Sequence, residues 1–198
     1  KEDQNLIISN TSNALTKKIP ISYNDTMSDA KLIINKISKA KKPLLLVGGG
    51  VRISGKENDA YKFVEKSGLP VVTTWTSADI FPQDCHLYLG NVGKSGDSVA
   101  VNAVQDCDLL VCLGSRFTPK VIINEKRFAE KAEIIAVDID SAELNEGIIN
   151  PNIKIVADLK SLLPNLLDAT NHNLIISEEW IRKLTKMKVE LAFTPELS

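Results

Sequence analysis

Charge of one sign is missing from this chain: 24 basic against 25 acidic residues leave a formal charge of −1 over 198 residues. No overall field therefore draws in nucleic acid or an anionic membrane surface, and either partner would need a local patch that the sequence does not contain. Long hydrophobic runs are missing too. The longest, "LLLV" and "DLLVCLG", are far too short to span a bilayer, and the polar start "KEDQN" is not a signal peptide, so a cytoplasmic location is expected. Cysteine is scarce: Cys85, Cys107 and Cys112 form no CxxC pair and no even set, which argues against a disulfide framework and a zinc site. Cys107 and Cys112 flank an apolar strand and read as small buried hydrophobes. Catalytic motifs are equally lacking, with no GxSxG, HExxH or paired carboxylates. His86 and His172 stand apart from any nucleophile and read as non-catalytic.

What is present is a repeating βα pattern. Hydrophobic residues at 43% and charged residues at 25% are ordinary for a globular domain with a real core. Continuously apolar runs rich in Val, Ile and Leu at 44–47, 70–73, 109–113, 133–137 and 153–157 predict strands buried on both faces. Helical spacing between them places Ala60, Phe63 and Val64 on one face and Ala100, Ala103 and Val104 on another, predicting helices over 57–67 and 97–106. Ser54 with Glu57, and Asp140 with Glu143, have capping-box spacing. Together these predict an α/β fold, a Rossmann-like doubly wound parallel sheet with helices on both faces and right-handed crossovers.

Three segments follow from this. Residues 1–28, rich in Asn, Ser, Thr and Lys, read as a linker or wrapping segment. Residues 29–170 form the domain, opening on a helix with Ser28 or Asp29 as its cap and ending on a helix over 158–169, in which Pro164 predicts a late start or a kink. Residues 171–198 read as a linker and an amphipathic helix with Trp180, Ile181, Leu184, Met187 and Leu191 on one side. That helix either packs on the outside of the domain or leads to an absent C-terminal domain, and the end at "FTPELS" reads as a cut from a longer chain.

In such a sheet, ligands bind outside the carboxyl ends of the strands. The loops there are "GGGVRISG", "TTWTSAD", "GNVGKSGD", "LGSRFTPK" and "VDIDSAE", which hold most of the glycines together with Arg52, Lys94 and Arg116. This composition suits a phosphate-bearing ligand, because glycine lets backbone approach and the cations offset charge. Arg116 is the foremost candidate for a phosphate contact, with a surface ion pair as its alternative. Asp138 and Asp140 could meet ribose hydroxyls, although helix capping suits Asp140 better. Gly50 to Lys56 spells GxxxxGK, but Glu57 stands where a P-loop needs Ser or Thr to ligate magnesium. A free-standing nucleotide-binding module is a further alternative.

Read in order, "KPLLLVGGGVRISG", "GLPVVTTWTSADIFPQDCHLYLGNVGKSGD", "AVQDCDLLVCLGSRF" and "AEIIAVDIDSAEL" through "INPNIKIVADLKSLL" resemble the central domain of thiamine diphosphate-dependent enzymes, most like the acetolactate (acetohydroxyacid) synthases, over about residues 29–170. The resemblance implies a six-stranded Rossmann-like domain from the middle of a three-domain subunit that acts on 2-oxo acids as a carboligase or decarboxylase (a transferase or lyase) and works as a homo-oligomer. It places thiamine diphosphate and magnesium in the parent protein, between N- and C-terminal catalytic domains missing from this chain. This chain alone should then not catalyse the reaction. The resemblance also implies that the middle domain holds FAD through its ADP portion, ADP alone, or nothing. It assigns nucleotide contacts to Gly48, Gly49 and Gly50, to Thr74, Trp75 and Thr76, to Gly93, Lys94, Ser95 and Gly96, to Arg116 and Phe117, and to Asp138, Ile139 and Asp140. Where FAD-binding members carry "RFDDR" and "GMHG", this sequence has "RFTPK" and "GKSG", so Thr118 and Lys120 replace groups that help hold the flavin.

Overall fold

The computed structural model describes residues 25–170 and 174–192. His172 and nearly all of the expected wrapping segment lie outside the described residues. Six strands form the core of the fold: β1 (Pro43–Val47), β2 (Val71–Thr73), β3 (Tyr88–Asn91), β4 (Leu109–Leu113), β5 (Glu133–Asp138) and β6 (Ile153–Val156). They make one sheet in the order β3-β2-β1-β4-β5-β6, with every pairing parallel. The helices are α1 (Thr26–Lys39), α2 (Gly49–Ile53), α3 (Glu57–Ser67), α4 (Ser98–Asp106), α5 (Ser141–Glu146), α6 (Leu159–Ala169) and α7 (Glu178–Ala192). The α/β, Rossmann-like reading of the sequence is what the structure shows. Among the described residues no helix is long and apolar enough to cross a membrane.

The continuous apolar runs are explained by covering on both sides of the sheet. Because side chains alternate across a strand, Leu45 and Val47 of β1 enter one core layer with Ile33, Phe63, Leu162 and Leu166. Leu44 and Leu46 enter the other, with Ala100, Ala103, Val104 and Trp180. The same split divides Val111 and Leu113 from Leu110 and Cys112 on β4. Helices α1, α3 and α6 thus cover one face, and α4 and α7 the other. Burying each such leucine or valine is worth about 1.5–3 kcal/mol. Neither layer alone would justify strands without a polar face.

Three local expectations are corrected. The cap of α1 is Asp25, whose carboxylate accepts the Met27 N–H at 3.2 Å. Ser28 and Asp29 lie inside the helix, which begins at Thr26 and is tied to α6 by the Asn165 amide donating to the Thr26 hydroxyl at 2.7 Å. Ser54 and Glu57 make no capping box. Ser54 ends α2 in helical geometry and donates its hydroxyl back to the Val51 carbonyl at 2.7 Å. The chain then reverses through Gly55 at φ +67°, and α3 starts after Lys56 with no side-chain cap. Only an extended Ncap residue can point its oxygen at the N3 amide. Helix α6 has no late start, since Asp158 caps it at the Lys160 N–H, 2.9 Å away, and it runs on through Pro164. The five apolar runs miss β3, the strand that completes the six the resemblance implies, because only Tyr88 and Leu89 of its four residues are buried.

Helix α7 packs on the domain. Trp180 and Leu184 are buried and Met187 and Leu191 lie against the same layer. The Trp180 indole N–H donates to the Pro43 carbonyl at 3.0 Å, and Lys183 pairs with Asp106 of α4 at 2.7 Å.

Candidate functional site

In this strand order the connection direction reverses between β1 and β4, so the crevice of the fold opens beyond Val47 and Leu113, which are register partners. The loops leaving these two ends, Gly48–Gly50 and Gly114–Arg116, run against one another. The Gly48 N–H donates to the Leu113 carbonyl and the Gly50 N–H to the Gly114 carbonyl, both at 2.9 Å. A Cβ at Gly48 would overlap Gly114 and Ser115, and one at Gly50 would lie 2.8 Å from the Gly114 Cα. Gly114 itself has φ +59°, in the left-handed region that favours glycine. The glycines are therefore required by two backbones in contact. Two of the three amides that a phosphate cradle would use are already spent, and Lys56 pairs with Asp59 at 2.8 Å. The P-loop reading has no geometry behind it.

The second loop is held to the first by hydroxyls. Thr74 Oγ1 lies 2.8 Å from Thr76 Oγ1 and 3.1 Å from Ser77 Oγ, while Ser77 donates to the Val47 carbonyl at 2.7 Å. Thr74 is buried and Trp75 is 63% exposed. The Lys120 ammonium sits 5.9 Å from the centre of the Trp75 ring, close enough for a cation–π attraction. The third loop joins the fourth, with the Lys94 N–H donating to the Lys120 carbonyl at 3.2 Å. Gly93, at φ +124°, lies against that same carbonyl. Gly96 is packed on the Asn91 to Gly93 backbone.

Arg116 realises its alternative reading. It is 68% exposed and pairs with Glu143 at 3.1 Å, a surface interaction worth about 1 kcal/mol at most. Asp140 is the cap of α5, accepting the Ala142 N–H at 2.9 Å. Asp138 accepts the Asp140 N–H at 3.0 Å. Ile139 between them is half exposed. Arg52 is held by Asp79, with Glu57 3.7 Å away, and His86 is exposed. The five loops all stand at the carboxyl edge of the sheet. Gly48–Gly50, Thr74–Thr76 and Gly114–Arg116 meet directly, Lys120 bridges the second and third loops, and Asp138–Asp140 follow the neighbouring strand.

Two residues that sequence reasoning did not single out matter here. Gly114 supplies the wall against which Gly48 and Gly50 pack, and a glycine directly after the apolar run "LLVCL" was the available signal. Ser115 is buried, and its hydroxyl has no hydrogen-bond partner. Buried hydroxyls are nearly always paired, so an orphan at the crevice marks a place where a ligand or water completes the structure. Among the described residues no group of three or more His, Cys, Asp or Glu is placed to hold a metal ion.

Comparison with known proteins agrees with this architecture. Residues 30–166 match the family described as thiamine pyrophosphate enzyme, central domain. The acetolactate synthase large subunit of Lactococcus lactis is 35% identical over 164 residues, covering 83% of this chain and 28% of that protein. The probable acetolactate synthase large subunit of Methanocaldococcus jannaschii is 37% identical, covering 77% and 26%. The acetolactate synthase large subunit of Corynebacterium glutamicum is 39% identical, covering 77% and 25%. The chain thus spans about a quarter of the length of these relatives.

Proposed function

This chain belongs to the thiamine pyrophosphate enzyme central-domain family, and we propose on that premise that it is the middle domain of an acetolactate synthase-like enzyme that joins or decarboxylates 2-oxo acids. The observation that carries the reading is an ordered match across 83% of the chain but only 28% of a relative. A domain with a doubly covered sheet and no acid–base pair assembled among the described residues is suited to holding two flanking catalytic domains in register. Thiamine diphosphate supplies the ylid for making and breaking carbon–carbon bonds. With magnesium it belongs to those flanking domains, in a cytoplasmic homo-oligomer, and no residue of this chain is assigned to it. The full reading frame tests this: it must encode a first domain with a catalytic glutamate and a third with a GDG…N metal motif. The full-length product must consume a 2-oxo acid only with thiamine diphosphate and magnesium present. A frame without those flanks would overturn the reading.

The orphan Ser115 hydroxyl favours a second element, a nucleotide of the ADP class in the crevice. Gly49, Thr76 and Arg116 border the same opening, and Trp75 and Ile139 offer exposed apolar surface for a base. The fit to a flavin is poorer, because Thr118 stands where FAD-binding members present an acidic residue, and Lys120, in place of their arginine, is engaged on Trp75. Calorimetry with ADP, FAD and NAD should give heat with ADP, and silence from all three would exclude the nucleotide.

A further inference from the structure

Beside the third loop, with Gly93 in its lining, a half-open cavity of about 220 Å³ lies between α4 and the segment that follows Lys120. Its bed is apolar: Val101 and Val104 from the helix, Val92, Val121 and Phe128 from the facing wall. The one charged group at its mouth is positive. Gln105, Asn124 and Arg127 line it and no carboxylate does. The Asn124 carbonyl oxygen already accepts the Lys126 N–H at 3.0 Å, which leaves its amide N–H groups as the free side. Arg127 has no ion-pair partner among the described residues.

The wall is preformed. Val121 and Ile122 donate their N–H groups to the Thr118 carbonyl at 2.9 Å, and Arg127 and Phe128 donate theirs to Asn124 at 3.1 and 3.0 Å. Phe128 sits edge-on to Phe117 at 6.0 Å between ring centres. Directly after it, buried Ala129 takes φ +48°, a left-handed conformation unfavourable for a non-glycine residue. Such strain persists only where the surroundings impose it, and here it fixes the turn that sets Phe128 into the wall.

We propose that this cavity binds a small amphipathic carboxylate, its aliphatic or aromatic body on the valines and Phe128 and its carboxylate on Arg127 and the Asn124 amide. A lone cation with no carboxylate beside it selects an anion, and a planar guanidinium suits a carboxylate. The volume, below the ~300 Å³ of a drug-sized pocket, limits the body to a short chain or a single ring.

The test titrates octanoate into the isotopically labelled 198-residue chain and follows backbone amide resonances. Saturable shifts are expected at Val101, Val104, Val121 and Phe128, with octylamine giving none. Arg127→Gln should weaken binding about five- to tenfold. Ile123→Glu, at a position 57% exposed at the mouth, should weaken it at least as much by charge repulsion. Both sites are on the surface, so unchanged urea midpoints will show that the fold is intact. The proposal is overturned if about 5 mM octanoate moves no lining resonance, if octylamine binds as well, or if Arg127→Gln binds octanoate like the parent.

Discussion

Replacing Gly48 by alanine tests whether the glycine loop is there for packing. The added methyl would overlap the Gly114 carbonyl and the Ser115 Cα, and would lie 2.7 Å from the Gly114 carbonyl carbon. All three are backbone atoms at the end of β4, so no rotamer change relieves the clash, and the loops after β1 and β4 must separate. Overpacking of this kind costs about 1–3 kcal/mol. Separation also strains the two cross-loop hydrogen bonds, from Gly48 to Leu113 and from Gly50 to Gly114, at about 1 kcal/mol each. The expected loss is therefore about 3–5 kcal/mol, a fall of about 2 M in urea midpoint for a slope near 2 kcal/mol/M. Gly55→Ala is the control. Its Cβ would meet nothing within 4 Å, so only the left-handed backbone at φ +67° is charged against it, about 1–2 kcal/mol. If Gly48→Ala unfolds no earlier than Gly55→Ala, the close contact between the β1 and β4 loops is not what requires glycine at 48.

Four further outcomes are expected. Trp180→Ala removes a side chain that fills the α7 layer and bonds to Pro43, and should cost about 3–5 kcal/mol by urea unfolding; a change below 1 kcal/mol would mean that α7 is not part of the domain. Pro164→Ala restores an N–H that can reach the Lys160 carbonyl, and should raise the melting temperature through a net gain of about 1–2 kcal/mol after the entropy returned to the unfolded chain. Ser115→Ala should leave stability unchanged or up to about 1 kcal/mol higher, because an orphan hydroxyl is removed, while weakening ADP about tenfold; equal ADP affinity in both proteins would detach the hydroxyl from the nucleotide. Burial pushes the Cys107 thiol from its ordinary 9.0 up to about 12, and Cys112 well above 9.0. Only the unfolded thiols ionise in between, so the stability these groups contribute is intact below about pH 9 and declines toward pH 12. A thiol reagent at pH 8 should accordingly label Cys107 and Cys112 only after denaturant is added.

The parallel sheet was legible because burial on both faces leaves a strand no polar side, and β1 and β4 are apolar along their whole length. β3 escaped for the opposite reason. It is an edge strand, half its residues are only partly covered, and Gly90 stands in it at φ +101° against the side chain of Asp97. Local geometry hid the rest. "GGVRI" forms a helix too short and too rich in glycine to show a period, and the Ser54/Glu57 spacing fits a capping box that fails only because Ser54 is itself helical. Asp140, with the same spacing to its glutamate, does cap its helix because its backbone is extended, and its Glu143 turns instead to Arg116. Spacing identifies a pair of residues, while the backbone angle at the first one decides whether they can interact.

The site divides along a similar line. Four of the five loops could be placed at one edge from strand positions alone, because in a parallel sheet every βα loop leaves from the same end; the third follows β3. The purpose of the glycines could not, since GxxxxGK, GxG and a tight strand-to-helix turn require the same residue for different neighbours. What separates these readings is a second loop distant in sequence. Gly114 receives the amide that a phosphate would have taken, and it packs so closely on Gly48 and Gly50 that a side chain on any of the three meets backbone. The triple glycine is thus one half of a contact whose other half lies more than sixty residues away, after β4. The group at this crevice still without a protein partner is the Ser115 hydroxyl, in a stretch where the sequence directs attention to the neighbouring arginine.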